Sequence, residues 1–172
     1  MDLIINGEGK KLIGEITVPG DKSISHRSII IGSLAKGTTK VDNILMSGDI
    51  ERTIKCFQDM GVTIEQDGHR IFIEGVGLYG LNKPNNILDC GNSGTTIRLL
   101  SGVLIGQKFP TILTGDKSLI NRPMDRIIIP LNKMGGNIRG RKDKYPPLEI
   151  KPASNNIKGI SYELPVASAQ VK

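Results

Sequence analysis

The sequence predicts an α/β (α+β) fold built from tandem β-α-β-α-β-β units and truncated inside a third copy. Three observations carry this. Two stretches read alike through a helix and a strand pair. Two Gly/Ser-rich helix starts precede them at matching offsets. One further period lands on the last residues of the chain.

The helix and strand pair come first. Asp49 to Ile64 and Asp125 to Ile138 each read as an amphipathic helix closed by Met-Gly (Met60-Gly61, Met134-Gly135), followed by a strand and a polar turn. The second strands are Arg70–Glu74 and Pro147–Lys151. Gly61 and Gly135 stand where a helix C-cap favours a positive φ. In the first helix Ile50, Ile54, Phe57 and Cys56 recur at helical spacing. Pro130 falls inside the second helix, where it removes a backbone bond and is expected to kink it.

Upstream, Gly20 to Arg27 leads into Ser28–Leu34, then Gly37 and a strand over Thr38–Val41; Gly91 to Arg98 leads into Leu99–Ile105, then Gly106 and a strand over Pro110–Leu113. Arg98 follows Arg27 by 71 residues and Met134 follows Met60 by 74, a period of about 73. One more period predicts a third helix start at 164–170, where the chain reads Leu164-Pro-Val-Ala-Ser-Ala-Gln170 and stops. A fragment is the simplest explanation. Strand-like pieces at Leu3–Ile5 and Gly14–Val18 fall outside the repeat and are expected to pair elsewhere.

Composition narrows the function. With 38% hydrophobic and 23% charged residues the chain has the balance of a soluble globular protein. Its longest apolar runs, broken by Gly and Ser, are too short to cross a bilayer, and the N-terminus lacks a signal-peptide pattern; a reduced, cytoplasmic protein is the expectation. Cys56 and Cys90 make neither a disulfide framework nor a metal cluster. They read as a small core residue and a packed thiol. The net charge of +6 favours anionic partners. Nucleic acid fits poorly, because there is no Trp, only three Phe and three Tyr, and no interleaving of aromatic with basic residues. Arg139 to Lys144 reads as a solvated hairpin loop. Small acidic ligands fit better.

The chemistry sits at the helix starts. Gly20-Asp21-Lys22-Ser23 opens a helix after an apolar strand, aiming backbone N–H groups and the positive end of the helix dipole at an anion. Lys22 adds a charge, Ser23 a hydroxyl, and Arg27 a fork for phosphate or carboxylate. Gly91 to Thr96 repeats the design: Gly94 lets a ligand approach the backbone, Asn92 and Thr95 flank it, and Arg98 follows on the helix. Taken singly, each is also what a capped helix with surface cations looks like; two at equivalent repeat positions favour a ligand. Arg122, in Asn121-Arg122-Pro123-Met124, stands at the mouth of the fourth helix. Other patterns lead nowhere. Gly75 to Gly80 matches a dinucleotide fingerprint but precedes Leu81-Asn-Lys-Pro84 and not a helix. His26 and His69 are too few and too separated for a metal site or triad, and His69 belongs to a hairpin turn.

Taken together, Gly20-Asp-Lys-Ser-Ile-Ser-His-Arg27, Gly91-Asn-Ser-Gly-Thr95, Arg122-Pro-Met124 and Ser168-Ala-Gln-Val-Lys172 resemble the 5-enolpyruvylshikimate-3-phosphate synthase family, in order and spacing across the whole chain. The resemblance implies the enolpyruvyl transferase-like fold, an inside-out α/β barrel of two domains with three units each. Residues 1–18 would then be strands of the other, C-terminal domain, 19–84 the first unit, 85–156 the second, and 157–172 the start of the third. The implied reaction transfers the enolpyruvyl group of phosphoenolpyruvate to the 5-hydroxyl of shikimate 3-phosphate and releases phosphate, a step of aromatic amino-acid biosynthesis.

Carried over by position, Lys22, Ser23, Arg27, Ser168, Ala169 and Gln170 would meet shikimate 3-phosphate. Lys22, Gly94, Arg122 and Gln170 would meet phosphoenolpyruvate, with Asn92, Thr95 and Arg98 in support. Ala169 stands where some members have a second serine. No cofactor and no metal are implied, nor nucleic acid or membrane partners. The complete enzyme would be a monomer, and the shortened chain prone to self-association. The acid/base carboxylates would lie outside this chain, so turnover by it alone is not expected. Two other readings are a free-standing anion-binding or regulatory module and the related UDP-N-acetylglucosamine enolpyruvyl transferase, which typically carries Lys-Asn where this chain has Lys22-Ser23.

Overall fold

The computed structural model of the chain describes residues 13–164, together with Leu3, Ile4, Gly7, Gly9 and Lys11. The first unit runs α1 (Lys22–Leu34), β1 (Lys36–Val41), α2 (Gly48–Asp59), β2 (Thr63–Asp67) and β3 (Arg70–Val76). The second runs β4 (Leu88–Asp89), α3 (Gly94–Leu104), β5 (Thr111–Thr114), a 3-10 turn (Leu119–Asn121), α4 (Asp125–Lys133), β6 (Asn137–Arg141) and β7 (Tyr145–Lys151).

Each unit closes its own sheet. In the first, β1 and β2 both pair antiparallel with the central β3. In the second the order is β4-β5-β7-β6, with β4 parallel to β5 and the other pairs antiparallel. Alternation sets which face is buried: Ile71 and Ile73 point inward from β3 while Glu74 faces solvent, and Leu148 and Ile150 point inward from β7 while Glu149 and Lys151 do not.

The helices gather between the sheets. α1 packs on α2, α2 on α3 and α3 on α4, while α1 also lies on β3 and α4 on β6. One continuous core results. Phe57, Ile50, Ile71 and Ile73 from the first unit and Ile97, Leu100, Leu113 and Leu148 from the second are all fully buried in it. Met60 and Met134 cap their helices, and the glycines that follow have φ of 89° and 99°, the left-handed region that costs glycine nothing. Pro130 lies within α4. Cys56 and Cys90 are both free and buried; a hydrogen bond with Cys56, then burial, push the Cys90 thiol well up.

Two expectations change. Gly14–Val18 forms no strand: Ile13, Ile16 and Val18 are 92%, 84% and 62% exposed. Its apolar alternation suits a ladder, but no sheet edge among the described residues pairs with it, so the first unit has three strands where the second has four. The first helix starts at Lys22, inside the Gly20–Ser23 segment expected to open it, and Asp21 caps it. Arg139 and Arg141 lie on β6, with only Lys142–Lys144 forming the turn. After β3, Gly77 and Gly80 close a turn through the Gly80 N–H donating to the Gly77 carbonyl at 3.2 Å, with no helix following.

Candidate functional site

At the α1 start, Asp21 Oδ1 accepts from the Ile24 N–H at 2.7 Å. Lys22 and Ser23 therefore hold the first two helical positions, where N–H groups lack intrahelical acceptors and the dipole is positive. Beneath them Ser25 Oγ donates to the Asp21 carbonyl at 2.8 Å and accepts from the Leu45 N–H at 3.0 Å, which pins the helix start to the loop after β1. Lys22, Ser23 and Arg27 are exposed. The Lys22 ammonium pairs with the carboxylate of Asp49, in the first turn of α2.

At the α3 start, Ser93 is the cap, its Oγ accepting from the Thr96 N–H at 3.1 Å. Gly94 is the first helical residue and Thr95, half-exposed, the second. A Cβ at Gly94 would stand 2.6 Å from Arg98 Nη1 and 3.4 Å from Arg122 Nη1; the missing side chain lets two guanidinium groups close over the helix start. Arg98 Nη1 donates to the Gly94 carbonyl at 3.2 Å, while its Nε is buried without a partner. Burial first, then Arg122 and Arg126, push the Arg98 pKa below the ordinary arginine value. Among the described residues none of these three arginines forms an ion pair. Like charges held together without counterions suit an anionic ligand.

Arg122 is aimed by a relay of neutral contacts. It donates to Asn92 Oδ1 and to Ser118 Oγ, the latter at 3.2 Å. Asn92 Nδ2 in turn donates to Asp116 Oδ2 at 2.7 Å. Asp116 Oδ1 accepts the N–H groups of Leu119 and Ser118 at 2.8 and 2.9 Å. The Leu119 bond and then the Asn92 bond hold this carboxyl below the usual carboxylate range. Asp116 thus fixes Asn92, and Asn92 fixes Arg122, whose guanidinium makes no direct ion pair among the described residues although its charge helps lower the Asp116 pKa.

Asp49 joins the two starts. Its carboxylate holds Lys22 and its carbonyl lies 3.3 Å from Thr96 Oγ1. The N-terminal ends of α1, α2 and α3 therefore converge, with Lys22 on one flank and Arg98 and Arg122 on the other. Such an arrangement can bind two anionic groups side by side and stabilise negative charge that develops between them.

Comparison with known proteins agrees in kind. Residues 7–172 match the family model of EPSP synthase (3-phosphoshikimate 1-carboxyvinyltransferase). The chain belongs to the EPSP synthase family. It is 54% identical over 171 residues to the 3-phosphoshikimate 1-carboxyvinyltransferase of Alkaliphilus metalliredigens, covering 99% of this chain and 40% of that protein. With the enzyme of the same name from Streptococcus sanguinis it shares 57% over 173 residues, 100% of this chain and 40% of that one. The solved EPSP synthase from Acinetobacter baumannii superposes with a TM-score of 0.88 at 50% identity, over 92% of this chain and 36% of that one. The chain spans about 40% of the length of these curated relatives.

Within this member of the EPSP synthase family, contacts link Lys22, through Asp49, to the α3 start, where Asn92, Gly94, Arg98 and Arg122 meet; Ser23 and Thr95 are the second residues of their helices, and Arg27 lies exposed in the second turn of α1. Ser168, Ala169 and Gln170 lie outside the described residues. Sequence reasoning had no role for Asp49 or Asp116. The only local sign of Asp49 is an acidic residue in a first helical turn. For Asp116 it is an Asp two residues before Ser118, the spacing of an Asx turn. Neither sign says which cation the carboxylate serves.

Proposed function

We propose that this chain supplies one substrate-binding side of an enzyme that transfers the enolpyruvyl group of phosphoenolpyruvate to the 5-hydroxyl of shikimate 3-phosphate with release of phosphate. Shikimate 3-phosphate is held at the α1 start by Lys22, Ser23 and Arg27, with Ser168, Ala169 and Gln170. Phosphoenolpyruvate lies at the α3 start against Gly94 and Arg122, shared with Lys22 and Gln170, and Asn92, Thr95 and Arg98 support it. The observation that carries this reading is the convergence of two helix N-termini beneath Lys22, Arg98 and Arg122, with three arginines free of ion pairs among the described residues. Two substrates that each bear phosphate and carboxylate repel one another, and fixed cations with oriented N–H groups offset that repulsion before reaction. The names of the relatives support the same chemistry.

Among the described residues the carboxylate ion-paired with Lys22 is that of Asp49. The family resemblance assigns the proton given to the methylene carbon and the proton taken from the hydroxyl to groups outside this chain. The chain alone should bind substrates without turning them over.

Amide resonances of Ser23 and Gly94 followed during titration test the reading. Shikimate 3-phosphate should move Ser23, phosphoenolpyruvate should move Gly94, and UDP-N-acetylglucosamine should move neither. Lys22→Met should weaken both substrates. Unmoved amides at millimolar substrate, or phosphate released by the chain alone, would overturn it.

A further inference from the structure

Behind the converging helix starts runs a file of polar side chains inside the core. His26 of α1, Thr53 of α2, and Thr96 and Ser93 of the α3 start are all fully buried. His26 Nδ1 stands 2.8 Å from Thr53 Oγ1, Thr53 Oγ1 stands 2.8 Å from Thr96 Oγ1, and Thr96 Oγ1 donates to Ser93 Oγ at 2.7 Å. Both threonine hydroxyls also lie 3.3 Å from the Asp49 carbonyl, on the residue whose carboxylate holds Lys22. Burying four polar side chains where aliphatic ones would pack is costly unless every member is bonded to the next. Helix packing alone does not call for them.

The file has a direction. Each hydroxyl has one proton to give. With the imidazole proton on Nδ1, His26 donates to Thr53, Thr53 to Thr96 and Thr96 to Ser93. His26 Nε2, buried with no partner, is then a bare acceptor. The reverse direction would leave an orphaned buried N–H, the rarer arrangement in folded proteins. Burial also pushes the imidazole pKa down, against the pull of Asp49 and with the push of Lys22, so the ring is neutral. His26 therefore donates to Thr53, and hydroxyl-to-hydroxyl contacts continue from α2 to the cap of α3.

We propose that the His26–Thr53–Thr96–Ser93 file is a positioning bridge that holds the anion-binding starts of α1 and α3 at a fixed separation, so that groups bound at Lys22 and at Gly94 meet in one geometry. This rests on the functional reading above and adds residues that touch no ligand. Thr53 is its centre, the one side chain bonded to both flanking helices.

Thr53→Val keeps the shape and removes the hydroxyl, whereas Thr53→Ser keeps the hydroxyl and removes a methyl. In the 172-residue chain Thr53→Val should move the Gly94 amide resonance before any ligand is added, and weaken shikimate 3-phosphate and phosphoenolpyruvate roughly five- to tenfold, the loss expected of one internal hydrogen bond. Thr53→Ser should restore both readouts although it leaves a small cavity. A purely packing role predicts the opposite order: Thr53→Val normal and Thr53→Ser the weaker variant. That result overturns the bridge. Should Thr53→Val fail to fold, Thr96→Val with its serine counterpart gives the same comparison, and an Nε2-protonated His26 in the nitrogen spectrum of the parent chain refutes the direction. If the parent chain binds neither substrate, the functional reading fails. The bridge is then judged on the Gly94 resonance alone, and no movement with Thr53→Val overturns it.

Discussion

Gly94→Ala separates binding from folding. The added Cβ would stand 2.6 Å from Arg98 Nη1, so the guanidinium must retreat by about 1 Å to reach ordinary contact. That retreat breaks its 3.2 Å bond to the Gly94 carbonyl. For a half-exposed group, losing such a bond costs about 1 kcal/mol. Alanine offsets most of this, since it is favoured over glycine in a helix by about 0.5–1 kcal/mol and Gly94 carries no positive φ that would penalise a side chain. Net stability should therefore change by less than about 1 kcal/mol. Affinity should not be spared. Arg98 is displaced, Arg122 Nη1 is crowded at 3.4 Å, and the methyl occupies the approach to the helix start. Loss of one charge-assisted contact, about 1.5–3 kcal/mol, means phosphoenolpyruvate binds about ten- to a hundredfold more weakly. Urea unfolding gives the stability and calorimetric or resonance titration the affinity. Unchanged affinity with unchanged stability would refute the placement of the ligand over Gly94; a loss above about 3 kcal/mol would refute the claim that Arg98 can yield.

Two further outcomes follow from the same geometry. A Cβ at Gly20 would meet the Asn43 carbonyl oxygen at 2.1 Å and the Leu45 nitrogen at 3.0 Å, both backbone atoms; Gly20→Ala should lower stability by about 1–3 kcal/mol in thermal melting and shift the Ser23 amide, and a loss below about 0.5 kcal/mol would show that the loop is freer than it looks. His26 gives a pH dependence whose sign is set by burial lowering its native pKa. As pH falls below about 6.5 the unfolded chain takes up a proton that the native imidazole declines, so stability falls until pH passes the native pKa. His26→Gln should lose less stability than the parent between about pH 7.5 and 5.5, and equal losses in urea midpoint would show that His26 does not titrate differently on unfolding.

Much of the fold was legible because its signals are local. The Met-Gly helix ends, the alternation of Ile71 and Ile73 with Phe72 and Glu74, and the polar helix openings at Gly20–Ser23 and Gly91–Thr96 act over a turn or a strand pair. A repeat of about 73 residues then placed both anion-type helix starts at equivalent positions. Gly14–Val18 went the other way: an alternating apolar segment announces a strand, but a strand exists only where another chain segment offers a ladder, and that is a property of the whole.

By itself, then, the sequence determined the order of elements, the two helix starts and the residues that present charge there. Tertiary structure alone decided that Asp49 holds Lys22, that Asp116 aims Arg122 through Asn92, and that His26, Thr53 and Thr96 join in one buried file. Caps and periodicity depend on neighbours three or four residues away. These contacts span 24 to 47 positions and form only once α1, α2 and α3 have packed with their first turns together.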